Sequence, residues 1–279
     1  MSRTITAAGA GATPVPLVPP AAYRRAGAAL AAEWIKLRSL RSMLLTPLLG
    51  AVAFIGLADL AVKNNAAGWA RLDAVQKARF DPLGINFNFV IIGILLFGVL
   101  GALVVTNEYG SGLIRPTLAA TPQRGLVLAA KAALAGLLSF ALAAVIVFTA
   151  FFTGQAILAG YHAPHVSLAD HNVAGHLLGT VCYMTAAGLI GLFTGVLVRS
   201  AAAAITSMFG LLLVLPVLAD RITPDLVTRH TVPYLPANLG DEMLHHHPGL
   251  SPGVAVAGLA AWVLVLAAAA AFSLRGRDA

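Results

Sequence analysis

Long blocks of apolar residues, separated by short polar segments, dominate the pattern along this chain. Six blocks approach the length of a membrane-spanning helix, at residues 44–62, 85–106, 127–158, 173–198, 201–219 and 253–274. A helix rises about 1.5 Å per residue, so a bilayer core of about 30 Å needs about 20 apolar residues. The third block is long enough to tilt or to project from the membrane, and only Arg199 and Ser200 separate the fourth block from the fifth. The pattern therefore predicts an all-α integral membrane protein with six transmembrane helices.

Composition narrows the class of protein further. Of the 279 residues, 59% are hydrophobic and 10% are charged, and the mean hydropathy is +0.85. Since an average soluble domain is about 25% charged, an ordinary water-soluble enzyme and a disordered chain are both excluded. The only cysteine is Cys182, which excludes an intrachain disulfide and a cysteine zinc cage.

The distribution of basic residues predicts the topology. With both termini on the cytoplasmic side, the inner segments hold 12 of the 18 Lys and Arg residues and three of the 11 acidic residues. This excess of inner Lys and Arg is the usual determinant of orientation. We therefore expect a multi-pass protein of the cell inner or plasma membrane with cytoplasmic termini. The net charge of +7 is then explained by a basic face near anionic lipid, without nucleic acid as a partner.

The N-terminal region divides into a tail and a helix on the membrane surface. Residues 1–20 are rich in Ala, Gly and Pro and predict a disordered tail. Over 21–42, one helical face carries Tyr23, Ala26, Leu30, Trp34 and Leu37, which favours an interfacial helix. The alternative is a simple positive anchor for the first span. Residues 43–275 would form the transmembrane domain and 276–279 a cytosolic tail.

Residues 107–125 form the only sizeable inner loop. Ser111 can cap a short helix that begins near Gly112, and Pro122 would end it. We expect this helix to lie across the cytoplasmic face, held at both ends by the second and third spans.

Three further patterns have two interpretations each. The apolar stretch 232–239 within the outer segment 220–252 is expected to pack on, or dip into, the outer membrane face. Gly188, Gly191 and Gly195 allow close helix approach, either in a dimer or within the chain. The outer histidines, among them His162, His165 and 245–247, are either a solvated polar cluster or a metal site.

The sequence contains no motif for nucleotide hydrolysis. The Gly-x-x-x-x-Gly-Lys-Ser/Thr phosphate-binding loop is absent, and no charged residue lies well inside a span, where proton-driven transporters need one. If the protein moves a substrate, we expect the energy to come from another subunit.

Two segments carry a recognisable pattern, Ala32-Glu-Trp-Ile-Lys-Leu-Arg-Ser-Leu-Arg-Ser42 and the loop 106–131, which begins Thr106-Asn-Glu-Tyr109. They resemble the segment before the first span and the loop after the second span of the ABC-2-type transporter permeases of bacteria, especially those of actinobacteria. A weaker likeness lies in Tyr234-Leu-Pro-Ala-Asn238. Gly110 and Pro116 depart from the family pattern, which leaves the geometry of the loop helix open. The likeness covers about residues 30–275.

The resemblance implies the permease subunit of an ATP-driven exporter with a type V exporter-like fold. Two six-span protomers, alike or different, would pair with separate ATPase subunits that bind ATP and Mg, so the chain itself would be no enzyme and hold no cofactor or metal. The implied connecting-helix residues are Glu33, Trp34, Lys36, Arg38 and Arg41. The implied ATPase-coupling residues, on a cytosolic coupling helix, are Glu108, Tyr109, Gly112, Arg115, Thr117, Pro122 and Arg124.

Two other functions compete with the exporter. One is a membrane anchor or immunity-type protein that transports nothing, and the other is a metal-dependent membrane enzyme that uses Asp241, Glu242 and His245. The substrate of an exporter is not identified. The side chains Asn86, Asn88, Thr149, Thr153 and Thr206 would suit a lipophilic or amphipathic molecule, but core packing explains them equally well.

Overall fold

A computed structural model describes residues 22–39, 41–114, 116, 123–222, 230–245 and 250–276. Side chains are described within these ranges except at 22–26, 37–39, 41–44, 220 and 245. The predicted tail at 1–20, most of the loop helix and nearly all of the predicted C-terminal tail therefore lie outside the described residues.

Helices account for nearly all of the described chain, in which no strand occurs. The α-helices are α1 (Ala22–Ser39), α2 (Arg41–Gly68), α3 (Ala74–Ala78), α4 (Pro82–Phe87), α5 (Val90–Gly110), α6 (Arg124–Gly160), α7 (Val173–Val198), α8 (Ala201–Phe209), α9 (Leu215–Ile222), α10 (Pro236–His245) and α11 (Pro252–Gly276). Short 3-10 helices cover Trp69–Arg71 and Val232–Tyr234, and a π-helical segment covers Gly210–Val214.

Six of the described stretches are long and apolar enough to cross a membrane. They run over Leu45–Arg71, Pro82–Gly110, Arg124–Gly160, Val173–Val198, Ala201–Ala219 and Pro252–Gly276. The all-α class is confirmed for the described residues, and six helices have the length and apolar composition of membrane spans. The side of the membrane that holds the termini stays a prediction. We call the side with α1 and the end of α11 the predicted cytoplasmic side.

The centre of the fold is a close contact between α5 and α7. A Cβ on Gly101 would come within 1.9 Å of the Gly188 carbonyl oxygen, and a Cβ on Gly191 would come equally close to that of Gly98. Because neither pair could accommodate a side chain, the two backbones meet directly. Large apolar residues surround this contact, including the fully buried Phe97, Met184 and Met208.

The fifth span contains a local break. Arg199 adopts a left-handed conformation (φ 59°) and makes the tight turn from α7 into α8. Further along the span, the N–H of Leu215 bonds to the carbonyl of Gly210, five residues back, as in a π-helix. Pro216 follows at once and has no N–H to donate, so the change in helical pitch coincides with the proline.

The apolar stretch near residue 235 packs deep against the spans, as predicted. The Trp262 indole N–H donates to the Tyr234 carbonyl at 2.8 Å, and Leu239 is fully buried. Trp262 lies ten residues into α11, about 15 Å from its start at about 1.5 Å per residue. The segment therefore lies on the side opposite α1, and its Tyr234 carbonyl packs beside the third turn of α11.

Candidate functional site

Four charged side chains from three helices form a closed ring near the predicted cytoplasmic side. Lys131 Nζ on α6 bonds to Glu33 Oε2 on α1 and lies 2.8 Å from Glu108 Oε1 on α5. Lys36 Nζ lies 2.9 Å from Glu33 Oε1 and 3.1 Å from Glu108 Oε1. Each lysine thus joins both carboxylates, and the four charges sum to zero. We call these four side chains the ion ring.

The ion ring differs from a surface ion pair because most of its charged side chains are buried. The side chains of Glu33 and Lys131 are 5% exposed and that of Glu108 is 10% exposed, whereas Lys36 is 32% exposed. An isolated charge in such a place is costly, and the opposite charges of the ring offset that cost. The ring therefore holds α1 against the ends of the second and third spans.

The environment of the two α1 members of the ring shifts both of their pKa values. Burial alone would raise the pKa of Glu33, but the Lys131 charge and the hydrogen bonds from both lysines outweigh burial and lower it. For Lys36, burial alone would lower the pKa, but bonding to Glu33 and the Glu108 charge raise it. Both shifts favour the charged forms.

The ring lies beside both ends of the predicted coupling loop. Glu108 is on the last turn of α5, just before the loop, and Lys131 is about two turns into α6, just after it. Ile114, within the loop, is 8% exposed and borders a small cavity with Tyr109 and Lys131. The start of the loop is therefore anchored among the helix ends.

Two arginines secure neighbouring helix ends on the same side. Arg124 Nη1 donates to the Leu274 carbonyl in the last turn of α11, at 2.7 Å. The Arg199 guanidinium lies over the Tyr109 ring, 5.5 Å from its centroid, in cation–π geometry. These contacts join the start of α6 to α11 and the end of α5 to the α7–α8 turn.

Some of the remaining coupling residues lie within the described ranges and others lie outside them. Gly112 has φ +72°, a left-handed conformation that glycine adopts without strain, and it turns the chain after α5. Its neighbour Ser111 donates its hydroxyl to the Asn107 carbonyl of α5. Arg115, Thr117 and Pro122 lie outside the described residues, so their coupling roles stay predictions.

On α1 the predicted connecting-helix residues face two ways. Glu33 points into the protein, while Trp34 is 46% exposed beside the exposed Leu30. This division matches a helix with one face on the protein and an apolar face free to contact lipid. The side chains of Arg38 and Arg41 lie outside the described ones.

The three predicted packing glycines lie on an internal helix contact. Gly188 and Gly191 meet α5 at the backbone, and a Cβ on Gly195 would lie 3.0 Å from the Ala102 carbonyl oxygen. Their position is that of packing within the chain, and a role in a dimer stays a prediction.

The polar residues considered for a substrate path occupy different surroundings. Asn86 is fully buried and donates to the Ala150 carbonyl of α6, so helix packing accounts for it. Thr153 lies 2.7 Å from Asp59 Oδ1, joining α6 to α2. The exposed members of the set are Thr149 and Thr206, on the outside of their helices, and Asn88, at the break between α4 and α5.

Within the described ranges, no group of three or more His, Cys, Asp or Glu residues is placed to hold a metal ion. The side chain of His245 and residues 246–249 are outside those ranges, so a metal site that includes them is untested. Glu242 is buried on α10, and one of its carboxylate oxygens has no hydrogen-bond partner among the described residues.

Sequence reasoning missed the ion ring. It placed Glu108 and Lys131 at span boundaries and did not pair them with each other or with Glu33. A signal was present, because Lys131 is the only charged residue among the apolar residues 125–158. A lone charge in such a run requires either solvent or an opposite charge.

Comparison of the chain with models of known protein families finds no match, and comparison with curated proteins finds none either.

Proposed function

We propose that this chain is the membrane-spanning subunit of an ATP-driven exporter whose ATPase is a separate protein. The observation that supports the proposal best is the ion ring, which fastens α1 to both ends of the predicted coupling loop. A subunit without its own nucleotide site needs a stiff element through which an outside motor can act, and this arrangement provides one.

The ion ring would make α1, α5 and α6 move together when the loop between α5 and α6 is displaced. A push on the loop between α5 and α6 reaches Glu108 on one side and Lys131 on the other, and both bind residues of α1. Moving either carboxylate away from both lysines would leave a buried charge without its partners, which costs roughly 3–5 kcal/mol for a broken buried pair. Under load, the ends of α5 and α6 would therefore move with α1 rather than slide past it.

Helix packing offers a route from the loop to the membrane interior. The direct backbone contact of Gly101 with Gly188 would pass a shift of α5 to α7. The turn at Arg199 leads from α7 into the fifth span, which changes pitch at the π-helical segment. A span with such a break is suited to local rearrangement, and we infer that it responds to the motor.

A second protomer would complete the transport path. The fifth span carries a continuous exposed apolar surface that includes Leu213, Val217 and Leu218. In the proposed assembly this surface faces either lipid or the partner protomer across the path. The substrate remains an unidentified lipophilic or amphipathic molecule.

Cysteine crosslinking tests the proposal. In a Cys182→Ser background, Pro116→Cys places one thiol on an exposed residue of the loop, and Val75→Cys places one on the opposite side of the membrane. Both variants are expressed in the source cell and treated with a bifunctional thiol–amine reagent, and the crosslinked proteins are identified by mass. We expect Pro116→Cys to crosslink to the ATPase and Val75→Cys not to do so.

A second test of the proposal is to purify the protein in mild detergent and to measure the mass of every protein that accompanies it. Co-purification of an ATPase, lost on combining Arg115→Glu with Gly112→Pro while membrane insertion persists, would support the exporter. A chain that retains no ATPase in either experiment would favour the non-transporting anchor. Nucleotide hydrolysis by the chain alone would contradict the proposal.

A further inference from the structure

A cavity of about 290 Å³ lies between α2, α5 and α6, in the half of these helices nearer the ion ring. Its walls are mainly carbon, from residues such as Phe97, Leu100, Val104 and Leu142. Asn107 lines the end nearest the predicted cytoplasmic side. The volume is close to that of small ligand pockets in proteins, which begin at about 300 Å³.

Short side chains and a proline leave this space open. Gly101 on α5 and Ala135 and Ser139 on α6 line it with little volume, and the ring of Pro47 forms part of the α2 wall. Towards the opposite side the helices close again. A Cβ on Gly50 would meet the Leu96 side chain at 2.3 Å, and Phe54 is 1% exposed.

The depth of the cavity matches one leaflet. Its α5 wall runs from Phe97 to Asn107, ten helical steps that together rise about 15 Å at about 1.5 Å each. Half of a bilayer core of about 30 Å is the same length. Beside the cavity, Leu45 and Leu49 of α2 are more than half exposed, as are many lipid-facing side chains. The cavity therefore adjoins the hydrocarbon of the predicted cytoplasmic leaflet.

We propose that this cavity binds one acyl chain of a diacyl phospholipid from that leaflet. An apolar space of this size stays dry, since water would find few polar partners in it. If the cavity were empty, the side chains that line it would lose the contacts that dense packing provides. A hydrocarbon chain is the apolar material that lies at its mouth.

The polar end of the site fits the polar part of such a lipid. Asn107 lies at the level where the glycerol esters of the leaflet lie, and its amide can donate to an ester carbonyl. One residue further along α5, Glu108 binds Lys36, whose side chain is about a third exposed. The lipid phosphate would lie at the level of this ammonium group.

The bound acyl chain would pack between α2 and the helices α5 and α6. Gly101, which contacts Gly188, and Asn107, which precedes a member of the ion ring, both line the cavity. An occupied site thus fills the gap between the first span and the two helices that carry Glu108 and Lys131. This inference does not depend on the exporter function, because an anchor protein with the same fold would hold the same lipid.

Native mass spectrometry tests the site on the full chain. The protein is reconstituted in vesicles of phosphatidylethanolamine and phosphatidylglycerol, then exchanged exhaustively into detergent. We expect one phospholipid per chain to survive the exchange. Val104→Trp, which fills the cavity, should reduce that adduct severalfold, whereas Val265→Trp on an exposed face of α11 should leave it unchanged.

Photolabelling of the unaltered chain tests the lipid site even if Val104→Trp does not fold. Vesicles carry a phosphatidylcholine with a diazirine in mid-chain, and labelled peptides are mapped. Enrichment over 97–107 and 135–142, relative to the exposed face of α11, supports the site. Uniform labelling around the protein, no retained adduct, or an adduct that Val104→Trp leaves intact would overturn it.

Discussion

The ammonium group of Lys131 lies 2.8 Å from Oε1 of Glu108, and each side chain is at least nine-tenths buried. The two residues begin and end the short interval that holds the predicted coupling loop. Together with Glu33 and Lys36, these residues link α1 to α5 in the second span and to α6 in the third.

Removing Lys131 should damage the protein more than removing Lys36. Lys131→Met leaves the partly exposed Lys36 as the only cation of the ring for two buried carboxylates and should cost about 3–5 kcal/mol. Lys36→Met affects a side chain that is about a third exposed and should cost clearly less. The measurement is the apparent melting midpoint in detergent, and equal midpoints for the two variants would argue against the ring.

A charge exchange provides the matched control. Combining Glu33→Lys with Lys131→Glu keeps the net charge of the ring at zero. It also sets the new carboxylate at position 131 beside Glu108 and the new ammonium group at position 33 beside Lys36. Two contacts stay attractive and two become repulsive, so we expect only partial recovery relative to Lys131→Met. Recovery to the level of the unaltered chain would mean that charge balance alone matters.

Attachment of α1 should depend on pH at the extremes only. The pKa of Glu33 is below its ordinary value of 4.5, so its contribution is complete above 4.5 and is lost as pH falls through the lower value. The pKa of Lys36 is above 10.5, so its contribution is complete below 10.5 and is lost as pH rises through the higher value. A spin label at Ile35, with Cys182→Ser, should keep the same mobility between those limits. A mobility change near pH 7 would contradict the assignment.

Close backbone contact makes Gly191 intolerant of alanine. A Cβ there would lie 1.9 Å from the Gly98 carbonyl oxygen, so Gly191→Ala must part α5 from α7. Such overpacking costs about 1–3 kcal/mol and should lower the melting midpoint. Gly56→Ala is the control, since no described atom of another part of the chain lies within 4 Å of its Cβ. Similar midpoints for the two variants would refute the contact.

The deep outer segment depends on the Trp262 indole. Trp262→Phe removes the donor to the Tyr234 carbonyl and should cost about 1 kcal/mol, with faster amide hydrogen exchange over 232–245. Trp69→Phe, far from this segment in a contact with Phe80, should leave that exchange unchanged. Unaltered exchange in Trp262→Phe would show that the segment is held by packing alone.

The spans were predictable because each is a local property of the chain. Apolar runs define them, and Val173–Val198 agrees with its predicted limits. The deep packing near residue 235 was also predictable, since so apolar a stretch cannot remain in water. The fold class and the spans therefore followed from composition and periodicity.

The ion ring depended on distant pairing and could not be derived in this way. Lys131 and Glu33 are 98 residues apart, and nothing local indicates that α1 folds back onto α6. The π-helical segment was missed for a different reason. Pro216 was visible within the fifth span, but a proline there predicts only a disturbance and not its form.

The 37 residues of α6 span about 55 Å at about 1.5 Å per residue, well beyond a bilayer core of about 30 Å. One end carries Lys131, and the far half is bound to the first span through Thr153 and Asp59. One continuous helix therefore carries both the ion ring and the contact with the first span. A variant that displaces α6 at Lys131 should also disturb the contact between Thr153 and Asp59.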